Sequence, residues 1–400
     1  MKRRDIGSGS SHLDLNRRSF LRAASFAGAA VAIGGFSEAQ FAFAQARHHS
    51  LLPENMVFLN ANENPLGPCA AARAAMLEGI TQSGRYHDEY AEELTNLFAS
   101  QNGLKPEYVQ PYAGSSQPLA YCVLAFCGPG KGVVMGAPGY EPAAFTAKTC
   151  DAPAASVALT KEGAHDVRAM VAASSSPGMY YIANPNNPTG TVTSRSDIEW
   201  LLANKPSGSI VVLDEAYIHF SDATPCIDLV AADKDVVVLR TFSKLYGMAG
   251  ARLGLVVARP DLLKRINDRG GFTFCPVPAM KAGIASLKDA QVIALRKKIN
   301  ADVRQETFAW LASQGYAFTA SQANCFMIDA KRPTQSVIDG MALQGVLVGR
   351  PWPMWPTHVR ITVGTPEEMA QFRTAFQKVM ETPVTASYRR HVLSRTTLFS

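Results

Sequence analysis

The chain has 400 residues, of which 47% are hydrophobic and 18% charged, a composition typical of a globular protein with one large unit or two lobes. Its formal net charge is +6, but residues 1–46 carry six basic and three acidic side chains, so half of this excess lies in that segment. The remaining chain has no basic run interleaved with aromatic residues, which argues against nucleic-acid binding.

Residues 1–46 have the layout of an export signal. A basic region ends in Arg17 and Arg18, an apolar stretch rich in Ala and Gly covers 23–36, and 44–46 offer a small-x-small cleavage site. The apolar stretch is shorter than the ~20 residues that span a bilayer. The paired arginines resemble a twin-arginine signal, which predicts export by that machinery and a periplasmic location. An amphipathic or disordered N-terminal segment is the alternative.

A glycine turn opens an apolar, helix-like run at residues 114–126. Ser115 and Ser116 stand at its start, where free backbone N–H groups and the positive end of the helix dipole form an anion site. An ordinary helix cap has the same sequence pattern. A strand at 133–135 follows, and the next turn ends in Tyr140, whose ring either stacks on a bound aromatic group or packs in the core.

Two later strand-like runs, 180–183 and 210–213, each lead into polar residues. The first is followed by a rigid turn with two prolines and a terminal glycine, which contains Asn187. The second ends at Asp214, with Tyr217 three residues further on. A carboxylate at the C-terminal end of a parallel strand points into the crevice where open α/β sheets bind ligands. A solvated junction between strand and loop is the alternative for Asp214.

The segment 241–252 brings together an amine, two hydroxyls and a guanidinium group. Thr241 and Ser243 precede Lys244, a glycine-rich turn follows, and Arg252 stands eight residues beyond the lysine. An enzyme that holds pyridoxal phosphate needs this set. The lysine amine forms a Schiff base with the aldehyde, while the hydroxyls and the arginine hold the phosphate.

Strand-like runs alternate with helix-length segments through the middle of the chain, which predicts an α/β fold with a mostly parallel sheet covered by helices on both faces. Residues 278–315 predict one long helix or two consecutive helices that pass into a smaller α+β lobe. The predicted organisation is a signal peptide at 1–46, a large cofactor-binding domain at 84–277, a small domain formed by 47–83 and 278–382, and a polar tail at 383–400.

In their order, these segments resemble the fold-type I, class I/II pyridoxal phosphate-dependent aminotransferases, and most closely the histidinol-phosphate aminotransferase-like group. The resemblance covers roughly residues 51–380. It includes the segments 59–68, 84–86 and 359–368. It implies an enzyme that moves an amino group between an L-amino acid and a 2-oxo acid.

The same resemblance assigns roles to individual residues. Lys244 is the Schiff-base lysine and proton carrier, and Arg360 binds the substrate α-carboxylate. Tyr86 matches a tyrosine that reaches the phosphate of the neighbouring subunit's cofactor, which implies a homodimer. The implied cofactor residues are Ser115, Ser116, Thr241, Ser243 and Arg252 for the phosphate, and Asp214, Asn187, Tyr217 and Tyr140 for the ring.

The sequence leaves the substrate more open. Trp352 and Trp355 are close to Arg360 in the chain and either shape a pocket for an aromatic or bulky side chain or only pack the small lobe. Arg350 is shifted by one position, because Gly349 intervenes, from the arginine of the histidinol-phosphate enzymes.

Three other classes of function compete with transamination. A decarboxylase, racemase, lyase or oxidase on the same fold would share the Schiff base, but a paired clamp on the carboxylate by Arg360 favours cleavage of the C–H bond. A nicotinamide-dependent dehydrogenase lacks its Gly-x-Gly-x-x-Gly motif here. A binding protein without activity would not need Lys244 together with Asp214.

The seven cysteines are odd in number and irregularly spaced, without a Cys-x-x-Cys or Cys/His cluster, so no metal site is expected. Export would permit disulfides. Several of the cysteines lie in apolar segments, which favours buried free thiols, but the sequence does not decide whether any pair.

Overall fold

The computed structural model describes residues 56–270 and 274–383. The predicted signal peptide, the chain up to residue 55 and the predicted tail from residue 384 lie outside the described residues. Of the helices described, none combines the length and the apolar character that a bilayer crossing requires.

Strands and helices alternate along the described chain. The strands are β1 (Val57–Leu59), β2 (Val109–Tyr112), β3 (Gly132–Ala137), β4 (Ala154–Ala158), β5 (Pro177–Ala183), β6 (Ile210–Asp214), β7 (Val236–Thr241), β8 (Gly254–Ala258), β9 (Ala317–Phe318), β10 (Cys325–Asp329), β11 (Val346–Val348) and β12 (His358–Thr362). The α-helices are α1 (Ala70–Gln82), α2 (Asp88–Gln101), α3 (Ser116–Phe126), α4 (Pro142–Thr149), α5 (Val167–Ala172), α6 (Arg195–Asn204), α7 (Ile227–Ala231), α8 (Pro260–Gly270), α9 (Val277–Lys288), α10 (Val292–Ser313), α11 (Thr334–Leu343) and α12 (Pro366–Glu381).

The central sheet has seven strands in the order β2-β8-β7-β6-β5-β3-β4. Strand β8 runs antiparallel to both of its neighbours, and the other neighbouring pairs are parallel. This confirms the predicted mostly parallel sheet.

Both faces of this sheet are buried. Along β6, Val211 and Leu213 belong to one hydrophobic core and Ile210 and Val212 to the other, because successive side chains of a strand point to opposite faces. Helices cover each face, so each of these four positions is apolar. The absence of polar alternation in the sequence therefore has a direct physical cause.

A second, smaller group of elements surrounds a third core. Strand β10 pairs antiparallel with β12 and β9, while β1 pairs parallel with β11. Phe326, Ile361 and Phe372 are fully buried in this third core. The predicted helical region at 278–315 is two consecutive helices, α9 and α10.

The proposed domain limits at residues 84 and 277 fall among packed helices. Helix α1 packs against α9. Ala72 of α1 and Ala282 of α9 both belong to a core of the large sheet. The limits remain a proposal based on the sequence.

The carboxyl ends of β5, β6 and β7 lie side by side. In the strand register Ala183 pairs with Asp214, and Asp214 pairs with Leu239. The turn that contains Asn187 and the segment that contains Lys244 both begin just beyond these ends. The topology therefore brings the predicted polar residues to one edge of the sheet, where open α/β sheets bind ligands.

Candidate active site

A cavity of about 240 Å³ opens at this edge of the sheet. Lys244 lines it, and so do nine of the residues predicted to bind the cofactor. These nine are Ser115, Ser116, Tyr140, Asn187, Asp214, Tyr217, Thr241, Ser243 and Arg252.

Asp214 lies in this cavity with only 6% of its surface exposed. The Tyr181 hydroxyl donates to its Oδ2 at 2.9 Å, and the Ala216 backbone N–H donates to Oδ1 at 3.1 Å. Burial raises the pKa of Asp214 to about 6, although both hydrogen bonds oppose the shift. A protonated pyridine nitrogen fits this position, because a cation beside the carboxylate would offset the cost of burying its charge.

The residues predicted to hold the ring are oriented by neighbours from distant parts of the chain. Arg360 Nη1 donates to Asn187 Oδ1 at 2.9 Å, which fixes the orientation of the amide. Asn62 Nδ2 donates to the Tyr217 hydroxyl oxygen at 3.0 Å. Both polar groups are therefore set in place by a second side chain.

The residues predicted to hold the phosphate converge at the start of helix α3. The Thr241 hydroxyl donates to Ser243 Oγ at 2.9 Å, and Arg252 Nη1 lies 3.4 Å from the same oxygen. Arg252 Nη2 also donates to the Ala113 carbonyl oxygen at 3.4 Å, so the guanidinium group lies against the turn that precedes α3.

Gly114 lies in that turn with φ of +90°, and a Cβ there would collide with the Arg252 guanidinium group. Glycine is thus required for the close approach as well as for the backbone angle. Ser116 Oγ, at the first residue of helix α3, lies 3.3 Å from the Tyr140 hydroxyl. A helix N-terminus, hydroxyl groups and a guanidinium group in one place fit a phosphate.

Lys244 is half-buried and faces the segment 60–68. Its Nζ donates to the Ala61 carbonyl oxygen at 3.1 Å and lies 5.7 Å from the centroid of the Tyr217 ring. Asn64 Nδ2 donates to the Leu245 carbonyl oxygen at 2.8 Å, which anchors the backbone beside the lysine. The amine therefore shares the cavity with Asp214 and the phosphate-binding groups.

Arg360 is fully buried on strand β12. Besides its bond to Asn187, it donates to the carbonyl oxygen of Asn60. Two residues later, Thr362 Oγ1 accepts from the backbone N–H of Asn62 at 2.9 Å. The guanidinium group does not line the cavity, but it contacts Asn187, which does. A rigid strand and these bonds hold the planar fork in one orientation.

The two tryptophans occupy different surroundings. Trp352 is buried, and the centroid of its ring lies 5.2 Å from the guanidinium carbon of Arg360. Its Nε1 donates to the Gly139 carbonyl oxygen at 3.3 Å. Trp355 is half-buried, with its ring centroid 4.7 Å from that of His358. Neither ring lines the cavity: Trp352 packs beside Arg360, the predicted carboxylate clamp, and Trp355 packs on the small lobe.

Tyr86 lies outside the cavity of its own chain. It is 72% exposed, and its ring stacks on that of Phe274 with 4.7 Å between centroids. Helix α1 nearby in the sequence exposes Leu77 and Ile80. The chain that carries Tyr86 therefore does not use it to complete its own site.

A buried ion pair that was not predicted from the sequence lies beside the site. Arg240 Nη2 lies 2.9 Å from Glu215 Oε2, and both side chains are almost fully buried. Glu215 follows Asp214, and Arg240 precedes Thr241, so the pair ties together the carboxyl ends of β6 and β7. The sequence does contain a signal for this pair. An acidic residue stands next to Asp214 and a basic residue next to Thr241, at the ends of neighbouring parallel strands.

Metal binding and disulfides have no support in the described chain. Among the described residues, no group of three or more His, Cys, Asp or Glu side chains could hold a metal ion. The seven cysteines are thiols, and burial raises the pKa of Cys226 and of Cys275 to about 12. The buried members of the set are Cys122, Cys226, Cys275 and Cys325.

Comparison with known proteins identifies the family. The model of the family "Aminotransferase class I and II" matches residues 54–376. A histidinol-phosphate aminotransferase of Symbiobacterium thermophilum is 34% identical over 332 residues, which cover 82% of this chain and 91% of that protein. Histidinol-phosphate aminotransferase 2 of Pseudomonas fluorescens strain Pf0-1 is also 34% identical, over 84% of this chain and 92% of that protein.

A solved structure supports the fold. The crystal structure of histidinol-phosphate aminotransferase from Sinorhizobium meliloti in complex with pyridoxal-5'-phosphate has a TM-score of 0.77 and 24% identity, and it covers 84% of this chain and 94% of that chain. This structure confirms the predicted α/β fold, and the match to the family model confirms the predicted enzyme class and pyridoxal phosphate cofactor. The chain belongs to the class I and II aminotransferases.

Proposed function

We propose that this aminotransferase takes its amino group from an L-amino acid with an aromatic or bulky apolar side chain and passes it to a 2-oxo acid. The convergence of Lys244, Asp214 and the phosphate-binding groups in one cavity carries the assignment of the site. The placement of Trp352 beside Arg360 supports an apolar surrounding for the substrate.

The roles of the chain's own residues follow from their contacts. When bound, pyridoxal phosphate supplies an aldehyde for covalent attachment and a ring that withdraws electrons from the bond being broken. Lys244 would take the proton from the substrate Cα and deliver it to C4′ of the bound cofactor. Asp214 keeps a negative charge against the ring nitrogen, and the guanidinium group of Arg252 holds the phosphate. Arg360 orients the substrate through its α-carboxylate, which directs cleavage to the C–H bond.

A spectrum of the purified protein followed by a donor screen tests this proposal. Adding the right amino acid should remove the absorbance of the lysine-bound cofactor, and adding a 2-oxo acid should restore it. Release of CO₂ without transfer to the 2-oxo acid would instead identify a decarboxylase. Histidinol phosphate belongs in the screen, because two relatives at 34% identity carry that name.

Substitutions of Arg360 and Trp352 separate recognition of the donor's α-carboxylate from recognition of its side chain. We expect Arg360→Lys to raise KM for every amino donor, because a point charge cannot reproduce the paired hydrogen bonds of a guanidinium group. We expect Trp352→Ala to weaken aromatic donors selectively, by about 1–3 kcal/mol in kcat/KM. Trp355→Ala is the matched comparison, since its ring packs on His358. Equal losses for alanine and phenylalanine as donors would reject the aromatic pocket.

We infer that the active unit is a homodimer in which Tyr86 completes the partner's site. The exposed ring of Tyr86 and the exposed Leu77 and Ile80 support a contact surface here. We expect a dimeric mass in light scattering and a weaker cofactor affinity in Tyr86→Phe. Mixing Tyr86→Phe with Lys244→Ala chains should regain activity, because one site of a mixed dimer has both native residues. A fully active monomer, or no gain on mixing, would contradict the proposal.

We propose further that the enzyme is exported to the periplasm by the twin-arginine machinery. The layout of residues 1–46 supports this, and so does the requirement that a site built from distant segments fold before it binds its cofactor. Cell fractionation with the Arg17→Lys/Arg18→Lys double variant tests it. The unchanged protein should be periplasmic, and the variant should stay in the cytoplasm.

A further inference from the structure

A second arginine lies on the face of Trp352. The guanidinium carbon of Arg350 is 4.1 Å from the centroid of this ring, and Nη2 of Arg350 lies 2.7 Å from Glu141 Oε2. The Arg350 side chain is only 10% exposed and that of Glu141 31%. A hydrogen-bonded pair of opposite charges with this little exposure is stronger than an exposed ion pair.

This cluster of Glu141, Arg350 and Trp352 is connected to the substrate site at two points. Glu141 directly follows Tyr140, which lines the cavity. Trp352 also lies against Arg360, the predicted clamp for the α-carboxylate. The guanidinium carbons of Arg350 and Arg360 lie 4.1 and 5.2 Å from the centroid of one indole ring, so they are no more than about 9.3 Å apart. A separation of this size is within the span of an amino donor with two acidic groups.

The ion pair with Glu141 determines whether the guanidinium group of Arg350 is available to a carboxylate of the substrate. A carboxylate on the donor's side chain could pair with Arg350 only by displacing Glu141, which would lose a charge-assisted hydrogen bond and bring two carboxylates together. An apolar side chain meets no such cost. The paired arginine therefore presents no net charge to the donor.

We propose that Glu141 sets the specificity of the site for amino donors with uncharged side chains, by holding Arg350 in an ion pair. The proposal rests on the proposed function, since it concerns the donor of the same aminotransferase reaction. It assigns Glu141 and Arg350 a role in choosing between monocarboxylic and dicarboxylic donors.

The test is Glu141→Gln in the holoenzyme, assayed with phenylalanine and glutamate as donors. We expect the ratio of kcat/KM for glutamate over phenylalanine to rise by about tenfold or more, because the variant leaves a guanidinium group to pair with the second carboxylate. Binding is measured in parallel with two unreactive acids, 3-phenylpropanoate and glutarate. Glutarate should gain affinity relative to 3-phenylpropanoate by a similar factor. An unchanged ratio in both measurements would overturn the proposal.

Two further variants separate the loss of the ion pair from a general change in charge. Glu107→Gln deletes an exposed carboxylate elsewhere, so it controls for the change in net charge and should leave the ratio unaltered. The double variant Glu141→Gln/Arg350→Gln should return the ratio toward that of the unchanged enzyme, because the gain requires Arg350. A ratio that stays raised in the double variant would show that Arg350 is not the group involved.

The double variant Glu141→Gln/Arg350→Met keeps the proposal testable if Glu141→Gln alone does not fold, because it leaves neither charge of the ion pair without its partner. Glutamate and phenylalanine should then lose activity by the same factor. A selective loss of glutamate would mean that Arg350 already binds the second carboxylate in the native protein, which overturns the proposal. Failure of the proposed function looks different, because the unchanged enzyme would then use neither phenylalanine nor another bulky apolar amino acid as a donor.

Discussion

Replacing Lys244 by alanine should abolish turnover while leaving the fold and the phosphate-binding groups in place. We expect a loss of at least ~10⁴-fold, or about 5.4 kcal/mol, because the variant lacks both the covalent bond to the cofactor and the base for the substrate Cα. No other lysine lines the cavity of the described chain. Steady-state assays of the purified variant, reconstituted with cofactor, give the measurement.

Borohydride reduction followed by peptide mass analysis provides the direct check on this assignment. The reduced cofactor should label Lys244 and no other lysine. Lys234→Ala is a matched control, since Lys234 is exposed and lies ten residues earlier in the same region. Labelling of a different lysine, or an alanine variant at 244 with near-normal activity, would show the assignment to be wrong.

The second large effect is expected for Asp214→Asn. The amide cannot balance the positive charge of the ring nitrogen, so the variant should bind some cofactor but lose roughly 10³-fold or more in rate, about 4 kcal/mol. Asp151→Asn is the control, because Asp151 is exposed and has a positive φ that asparagine tolerates. A rate within about threefold of the native enzyme would exclude contact between Asp214 and the ring nitrogen.

The raised pKa of Asp214 adds a dependence on pH that the asparagine variant should lack. In the protein without cofactor, burial places this pKa at about 6. Lowering the pH through that value protonates the carboxyl group and removes the charge that attracts the ring nitrogen, so cofactor affinity should fall. Dissociation constants measured across this range should show a decline for the native protein that is absent in Asp214→Asn.

The large sheet and the edge that carries the site could be predicted from the sequence, because parallel strands covered on both faces have a clear sequence pattern. Each such strand is an uninterrupted apolar run, and its end is marked by the first polar residue. Asp214 illustrates this, since it follows Leu213 directly and lines the cavity. The turn with Asn187 and the segment with Lys244 follow neighbouring runs, so they lie at the same edge.

Other parts of the site could not be predicted, because they depend on the register between strands and on side-chain direction. Tyr181 reaches Asp214 only because Ala183 pairs with it, which places Tyr181 on the same face of the adjacent strand. Asn62 reaches Tyr217 from a segment more than a hundred residues away. Trp355 shows the converse: it is close to Arg360 in the chain, yet its ring points to His358.

The hydrogen bonds between strand β12 and the segment near Asn60 have a consequence for synthesis of the chain. Asn62 donates to Thr362, and Arg360 donates to Asn60, so two segments that lie 300 residues apart in the sequence meet beside the site. A ribosome must therefore release the chain as far as residue 362 before Arg360, the predicted carboxylate clamp, and Tyr217, predicted to hold the ring, are in place. A nascent chain that stops short of residue 360 contains Lys244, Asp214 and the residues predicted to bind the phosphate, but it lacks Arg360, which is predicted to position a substrate. We therefore expect recognition of an amino acid to become possible only after strand β12 has been synthesised.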